Sequence, residues 1–154
     1  MKSRNIKISP YFYIVNVEAA IFKEEKWLLI ERSEKEEYSG GLISFVGGKV
    51  DKTEDIGDIL EKTLIREIYE EIGVEIEDQM TYVNSSLFIA TEEPVVDIIF
   101  LCKYKSGVPH CKSPDEVAKV YWMTTEEVRN HPNTPLWLKR NITSAEEVKK
   151  RIFL

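Results

Sequence analysis

Cysteine is scarce in this chain. Cys102 and Cys111 are the only two, with no C-x-x-C pair, which argues against an oxidising setting and for a reduced, cytoplasmic one. Cys102 sits inside an apolar run and reads as a small core residue. Long hydrophobic runs are missing as well. The apolar stretch 11–22 is broken by Asn16 and Glu18 and alternates like a strand, so neither a signal peptide nor a membrane span is expected. Positive charge is in deficit: Lys plus Arg number 21 against 27 for Asp plus Glu, a net charge of −6. A general nucleic-acid binder carries a basic footprint, and that class is set aside. Repeats, low-complexity tracts and linkers are also absent.

What remains is ordinary globular material. The 154 residues are 43% hydrophobic and 31% charged, enough for one domain, 1–154, with its own core. Residues 11–22 and 26–32 read as strands of a hairpin turning at Lys23-Glu24-Glu25. A charged loop from Ser33 to Gly41 follows, then a short strand, Leu42 to Val46, running into a Gly47-Gly48 turn. A helix is expected from about Gly57 to Ile72. Strand candidates come next at 74–76, 81–91, 95–104 and 118–123, with a turn at Thr91-Glu92-Glu93-Pro94. Thr124-Thr125-Glu126-Glu127 has the look of a helix start. A helical region runs to Leu154, its last piece opening at Thr143 or Ser144. Mixed strands, a helix, more strands and then helices predict an α+β fold, an α/β/α sandwich with helices on both faces of a mixed sheet.

The chemistry concentrates in Gly47 to Val74. Leu60, Leu64, Ile65, Ile68 and Ile72 recur at helical spacing, and Gly73 stands where a left-handed cap is expected. At about 100° per residue, Glu67, Glu70 and Glu71 share one arc that overlaps the apolar stripe. Glu71 is aimed between Leu60 and Leu64 instead of at water. A carboxylate facing a core is unfavourable unless neutralised, and three acids in the last turns oppose the helix dipole. Arg66 can pair with Glu70 four residues on, but one guanidinium does not balance three carboxylates. A hard divalent cation would, and Mg²⁺ characteristically bridges carboxylates to substrate phosphates. The plain alternative is a solvated acidic face laced with ion pairs to Lys62 or Arg66.

The string Arg66-Glu67-Ile68-Tyr69-Glu70-Glu71-Ile72-Gly73-Val74 resembles the second half of the Nudix box. That pattern runs Gly, five residues, Glu, seven residues, Arg-Glu, an aliphatic, any residue, Glu-Glu, any residue, Gly, aliphatic. The first half departs from it. Gly48 lies four residues further upstream of Arg66, so Asp51 to Gly57 looks like an insertion, and Asp58 replaces the first glutamate. Ile43 and Val46 stand where Trp and Pro are common. The resemblance implies the Nudix sandwich and a Mg²⁺- or Mn²⁺-dependent hydrolase. Its substrate would be a phosphoanhydride, in a nucleoside diphosphate linked to another group X (a nucleotide sugar or ADP-ribose-like molecule) or in a nucleoside triphosphate. It assigns Glu67, Glu70 and Glu71, with a carbonyl from Gly48 and an acid at Glu116, to the metal. It gives Arg66 the orienting of a neighbouring glutamate. Catalysis would rest on Arg66, Glu67, Glu70 and Glu71, with the general base left open. The altered first half also leaves room for a non-catalytic module that senses a nucleotide and binds a partner. Nothing in the sequence decides the substrate, and a homodimer is left open.

Other candidates are weaker. Gly47-Gly48-Lys49 is no P-loop, because Ile43 and Val50 replace the required Gly and Ser/Thr. Asp97 is an unexpected charge in an apolar run, facing substrate or capping a strand edge. His110-Cys111 and His131 raise nucleophilic catalysis, but no third orienting group is evident. Tyr11, Tyr13, Phe45 and Phe88 are candidates to stack on a base, though aromatics in strands are commonly core.

Overall fold

In the computed structural model, residues 12–51 and 57–153 are described. The hairpin of β1 (Ile14–Lys23) and β2 (Lys26–Arg32) closes with Lys23 opposite Lys26, and Glu24 takes the left-handed conformation in the turn (φ 55°). Side chains of a strand alternate between faces, and the hairpin sorts itself accordingly. Ala20, Phe22, Trp27 and Leu29 join one core cluster; Val17, Ala19, Ile21, Leu28 and Ile30 join the other.

Each cluster has its own helical cover. Helix α1 (Ile59–Ile72) gives Leu64, Ile68 and Ile72 to the second cluster, and the long C-terminal helix (Leu136–Phe153) gives Leu138, Ile142, Ala145 and Val148 to the first. Between them lies a mixed sheet. Its remaining strands are β3 (Ile43–Ser44), β4 (Val46–Lys49), β5 (Glu75–Ala90), β6 (Glu93–Ser106) and β7 (Val117–Thr124). The order is β3-β2-β1-β6-β5, with β4 also on β1 and β7 on β2. β1 and β6 run parallel at the centre, Ile14 opposite Val95 through Phe22 opposite Lys103. A parallel pair needs a long crossover, and α1 lies in it. This is the expected α/β/α sandwich. No helix among the described residues is long and apolar enough to cross a membrane.

Three expectations about local structure change. Gly47 and Gly48 are not a turn: they lie within β4, opposite Glu18 and Val17 of β1, and neither has positive φ. They are glycines because the backbone approaches its neighbours too closely for a Cβ. A Cβ on Gly47 would sit 2.0 Å from the Val17 carbonyl oxygen, and one on Gly48 would sit 2.4 Å from Glu67 Cδ. Second, 74–76 and 81–91 are not separate strands, because β5 absorbs the irregular stretch as register shifts between Ile76 and Met80 and between Tyr82 and Asn84. Third, the last helix is continuous through Thr143 and Ser144. Thr143 Oγ1 donates to the Lys139 carbonyl at 3.0 Å, a bond made inside a helix and not at its start. Thr124 does cap α2 (Thr125–Asn130) in a capping box with Glu127. Within the loop read as an insertion, 52–56 lie outside the described residues, as does Tyr11.

Candidate active site

Helix α1 begins after Asp58, which takes the left-handed conformation (φ 48°) without a side-chain capping bond. It ends at Gly73, whose N–H donates to the Tyr69 carbonyl from φ 71°. The carbonyls of its last turn are met from outside by one loop. His110 N–H donates to the Ile72 carbonyl at 3.1 Å, and Lys112 N–H to that of Glu71 at 3.1 Å. These bonds satisfy acceptors that a helix end leaves open. They also fix the path of 110–116, so that Glu116 arrives beside the helix. Ser33 N–H holds the Glu116 carbonyl at 2.9 Å, and Ser113 Oγ donates to Glu116 Oε2 at 3.1 Å.

The three acids of the helix then separate by environment. Glu71 is one of the buried residues of α1, with Thr63, Leu64, Ile68 and Ile72, and is only 8% exposed. Its Oε2 has no hydrogen-bond partner among the described residues. Burial pushes its carboxyl up to about 9, helped by the charges of Glu116 and Glu67 and a hydrogen bond shared with Glu116, and opposed by Arg32. Glu67 is half-buried and is raised to about 7. Burial again leads, Arg66 counteracts it, and Glu70, Glu116 and Asp51 add repulsion. Glu70 faces outward, its side chain 57% exposed. Arg66 Nη1 stands 3.4 Å from Glu67 Oε1 and 4.0 Å from Glu70 Oε2, a bridge between the inner and outer acids.

Gly48 completes the arrangement from the sheet side. Glu67 Oε2 occupies the space that a Cβ on Gly48 would need, 2.7 Å from it. So the backbone of β4, the carboxyls of Glu67 and Glu71, and Glu116 face one another. Among the described residues no three ligand side chains already converge into a cation cage. The donors present still fit a hard divalent cation: all are oxygen, one is a buried oxygen without a partner, and burial together with neighbouring carboxylates destabilises Glu67 and Glu71 as anions.

The family model described as NUDIX domain matches residues 13–144. The chain belongs to the Nudix family. Its solved structural relatives carry the same sandwich. A MutT Nudix hydrolase from Burkholderia pseudomallei is 29% identical, with 89% of this chain and 98% of that one covered at a TM-score of 0.70. A MutT protein from Methanosarcina mazei Go1 is 24% identical, covering 90% and 96% at 0.73. The Nudix domain of Shewanella oneidensis NrtR, solved with ADP-ribose, is 18% identical, covering 92% and 89% at 0.69. A search of curated proteins found no match. The chain is therefore a Nudix hydrolase, and hydrolases of this family use a divalent cation.

Within this Nudix domain the residues named from sequence fall into two groups. Gly48, Arg66, Glu67, Glu71 and Glu116 come together, with Glu70 at the rim. The rest are elsewhere. Asp97 lies on the central strand β6, not at an edge, 4% exposed, and accepts a hydrogen bond from Asn16 Nδ2 at 2.7 Å. Phe45 is core, and Tyr13 is exposed. Phe88 stacks on Tyr38, ring centroids 5.6 Å apart and 8° from parallel. His110 packs on Gly73 and its Nδ1 meets the Val108 carbonyl at 2.9 Å. Cys111 packs against the α1-side core, whereas His131 lies edge-on to Tyr121, which packs against the other core. The cysteine and His131 belong to opposite layers.

Sequence reasoning missed Glu18 and Arg32. Burial raises the Glu18 carboxyl well above the usual range, although part of its surface stays open. Asp97 adds a hydrogen bond and repulsion, Arg32 opposes, and Glu71 contributes further repulsion. The signal was present, since Asn16 and Glu18 interrupt an apolar strand; they had served only to exclude a membrane span.

Proposed function

We propose that this chain is a divalent-cation-dependent pyrophosphohydrolase, one Nudix domain over 1–154. It cleaves a phosphoanhydride in a nucleoside diphosphate linked to X, or in a nucleoside triphosphate. Water is substituted at one phosphorus, releasing a nucleotide with either phosphorylated X or pyrophosphate. The observation that carries this reading is Glu71, a buried carboxyl with one unpartnered oxygen, Oε2, facing Glu116 and Glu67. Such a group destabilises the fold and is retained where it has chemistry to do. The nucleoside diphosphate ligand of the NrtR Nudix domain supports the substrate class.

Gly48, Glu70, Glu71 and Glu116 would hold Mg²⁺ or Mn²⁺, while Glu67, which the resemblance offers as ligand or base, serves as the base. The cation supplies positive charge to the phosphates and acidifies water. The protein's own groups do the rest. Arg66 holds Glu67 by Oε1, leaving Oε2, the oxygen against Gly48, to take the proton of the attacking water. In the cation-free protein burial raises that carboxyl to about 7, the direction that strengthens it as a base. Arg66 is a positioning residue, fixing Glu67 while its other contact restrains Glu70. The exposed, net-negative surface disfavours anionic ligands elsewhere, which favours phosphate binding where cations gather. The unpaired thiols of Cys102 and Cys111 support a cytoplasmic setting.

The test is a panel of nucleotide sugars, ADP-ribose and nucleoside triphosphates, with Mg²⁺ or Mn²⁺, read by ³¹P NMR of the products. Release of nucleotide that stops on chelation is expected. Tight nucleotide binding with no phosphorus product under either cation would instead describe a sensor and overturn the proposal.

A further inference from the structure

The free edges of the sheet are not alike. Among the described residues, β3 has only two residues, β4 has four and carries Lys49, and β7 carries Lys119 within it. Short length and a lysine are the usual means of keeping an edge from pairing. Strand β5 has neither. Among the described residues it pairs only with β6; it runs for sixteen residues, and its charges, Glu75, Glu77 and Asp78, all lie at one end. From Gln79 to Ala90 there is no charge and no proline. From Asn84 to Ala90 its ladder with β6 is free of register shifts, so the outer edge is regular there too.

The face of that edge is apolar. Tyr82, Leu87 and Ile89 stand opposite Phe100, Val96 and Pro94, on the side of the sheet covered further in by α1, where Ile98 and Phe100 pack. They are 55%, 61% and 49% exposed. Ile65, on the flank of α1 away from Glu67, is 48% exposed, and α1 packs against β5. Together these four leave on the order of 400 Å² of side chain in water, a size at which exposed patches are commonly functional. It is about half of the ~800 Å² that each partner gives to a stable interface. The backbone edge and its neighbours Thr81, Ser85 and Ser86 provide surface for the remainder.

We propose that β5 pairs antiparallel with β5 of a second copy of this chain, about a twofold axis at Leu87. A twofold there joins the seven regular residues to themselves. Leu87 meets Leu87, Ile89 meets Ser85, and Asn84 meets Ala90, so the most exposed apolar side chain on the strand lies at the centre. The acidic end, Glu75 to Asp78, lies beyond the paired stretch, so two net-negative chains meet where neither is charged. A second copy is favoured over an unrelated strand because this pairing closes on itself and covers the regular, uncharged part of the β5 edge. Such pairing does not depend on the reaction proposed above.

Sedimentation of the full chain from 1 to 100 µM tests it. Twice the 17.9 kDa of one chain is expected. Leu87→Lys sets two like charges opposite each other and should weaken the dimer at least tenfold, with circular dichroism unchanged; Ile89→Lys should act in the same direction. Leu87→Cys in a Cys111→Ser background should cross-link within a dimer on mild oxidation, since directly opposed Cβ atoms lie about 5 Å apart. A monomer at 100 µM would overturn the proposal. So would a dimer that survives both lysine variants, or a Leu87→Cys variant that fails to cross-link.

Discussion

Glu71→Gln offers the sharpest separation of chemistry from stability. The substitution keeps the shape of the side chain and removes its ability to ionise, at a site where burial and Glu116 raise the carboxyl to about 9. In the unfolded chain the same group ionises near 4.5. A raised carboxyl contributes full stability below its unfolded value and loses it as pH climbs toward its folded value. In the cation-free protein that window runs from about 4.5 to 9. Each unit of difference corresponds to about 1.4 kcal/mol, so at pH 8 the wild type could forfeit up to about 5 kcal/mol relative to pH 4.5. Relaxation around a group near the surface reduces this, and about 1–3 kcal/mol is the working expectation. For a chain of this length that is roughly 2–10 °C in Tm. The assay is thermal unfolding in EDTA across pH 5 to 8.5, wild type beside variant, repeated with Mg²⁺. Glu71→Gln should match the wild type at pH 5 and exceed it progressively above. Mg²⁺ should raise the wild-type Tm at pH 8 more than the variant's, while turnover in the variant is lost. A variant less stable than the wild type in EDTA at pH 8, or a gap that does not widen with pH, would contradict this account of Glu71.

Four other outcomes follow from the same geometry. Glu67→Gln should lower kcat by about 10²–10⁴, the usual worth of a general base, and flatten the acid limb of the pH–rate profile; an unchanged pH profile would remove that role. Arg66→Ala should cost about 10–100-fold in kcat with KM little changed, as for residues that position ligands, and Arg66→Lys should restore part of it. The two glycines of β4 should fail differently. Gly48→Ala forces Glu67 aside and should lower kcat about 100-fold while the fold persists, since displacements near 1 Å have that effect. Gly47→Ala drives a Cβ into the Val17 carbonyl and should lower Tm by several degrees, overpacking costing about 1–3 kcal/mol.

The layers of this fold were legible because they obey periodicity. Alternation in 14–23 and 26–32 assigned side chains to faces, and the spacing of Leu64, Ile68 and Ile72 assigned a face to α1. That spacing also put Glu71 on the wrong side of its helix for a solvated acid, and the side chain is buried there with an orphan oxygen. Spacing cannot report how closely two backbones approach. Gly47-Gly48 therefore read as a turn, although the pair is extended and glycine is needed because β1 and Glu67 leave no room for a Cβ. Helical pitch likewise gave Glu67, Glu70 and Glu71 one arc. Spacing set Glu71 apart but only packing separates the other two, because β4 covers Glu67 while the Glu70 side chain is 57% exposed.

The residues hardest to find were those acting from another layer. Glu18 and Arg32 lie on β1 and β2, far in sequence from the box, yet both bear on the charge of Glu71. Arg32 opposes the rise of the Glu71 carboxyl, against the repulsion of Glu116 and Glu67. Two guanidiniums, Arg32 and Arg66, beside four acids (Glu18, Glu67, Glu71 and Glu116) still leave an excess of negative charge. Protons can relieve it below neutrality, and a divalent cation can relieve it above. At neutral pH the two compete for the same oxygens, so cation binding should release protons. Calorimetric titration with Mg²⁺ in buffers of different ionisation enthalpy reads that release directly. Heats independent of buffer would mean that Glu67 and Glu71 were already fully ionised in the cation-free protein, and that burial does not hold their protons on.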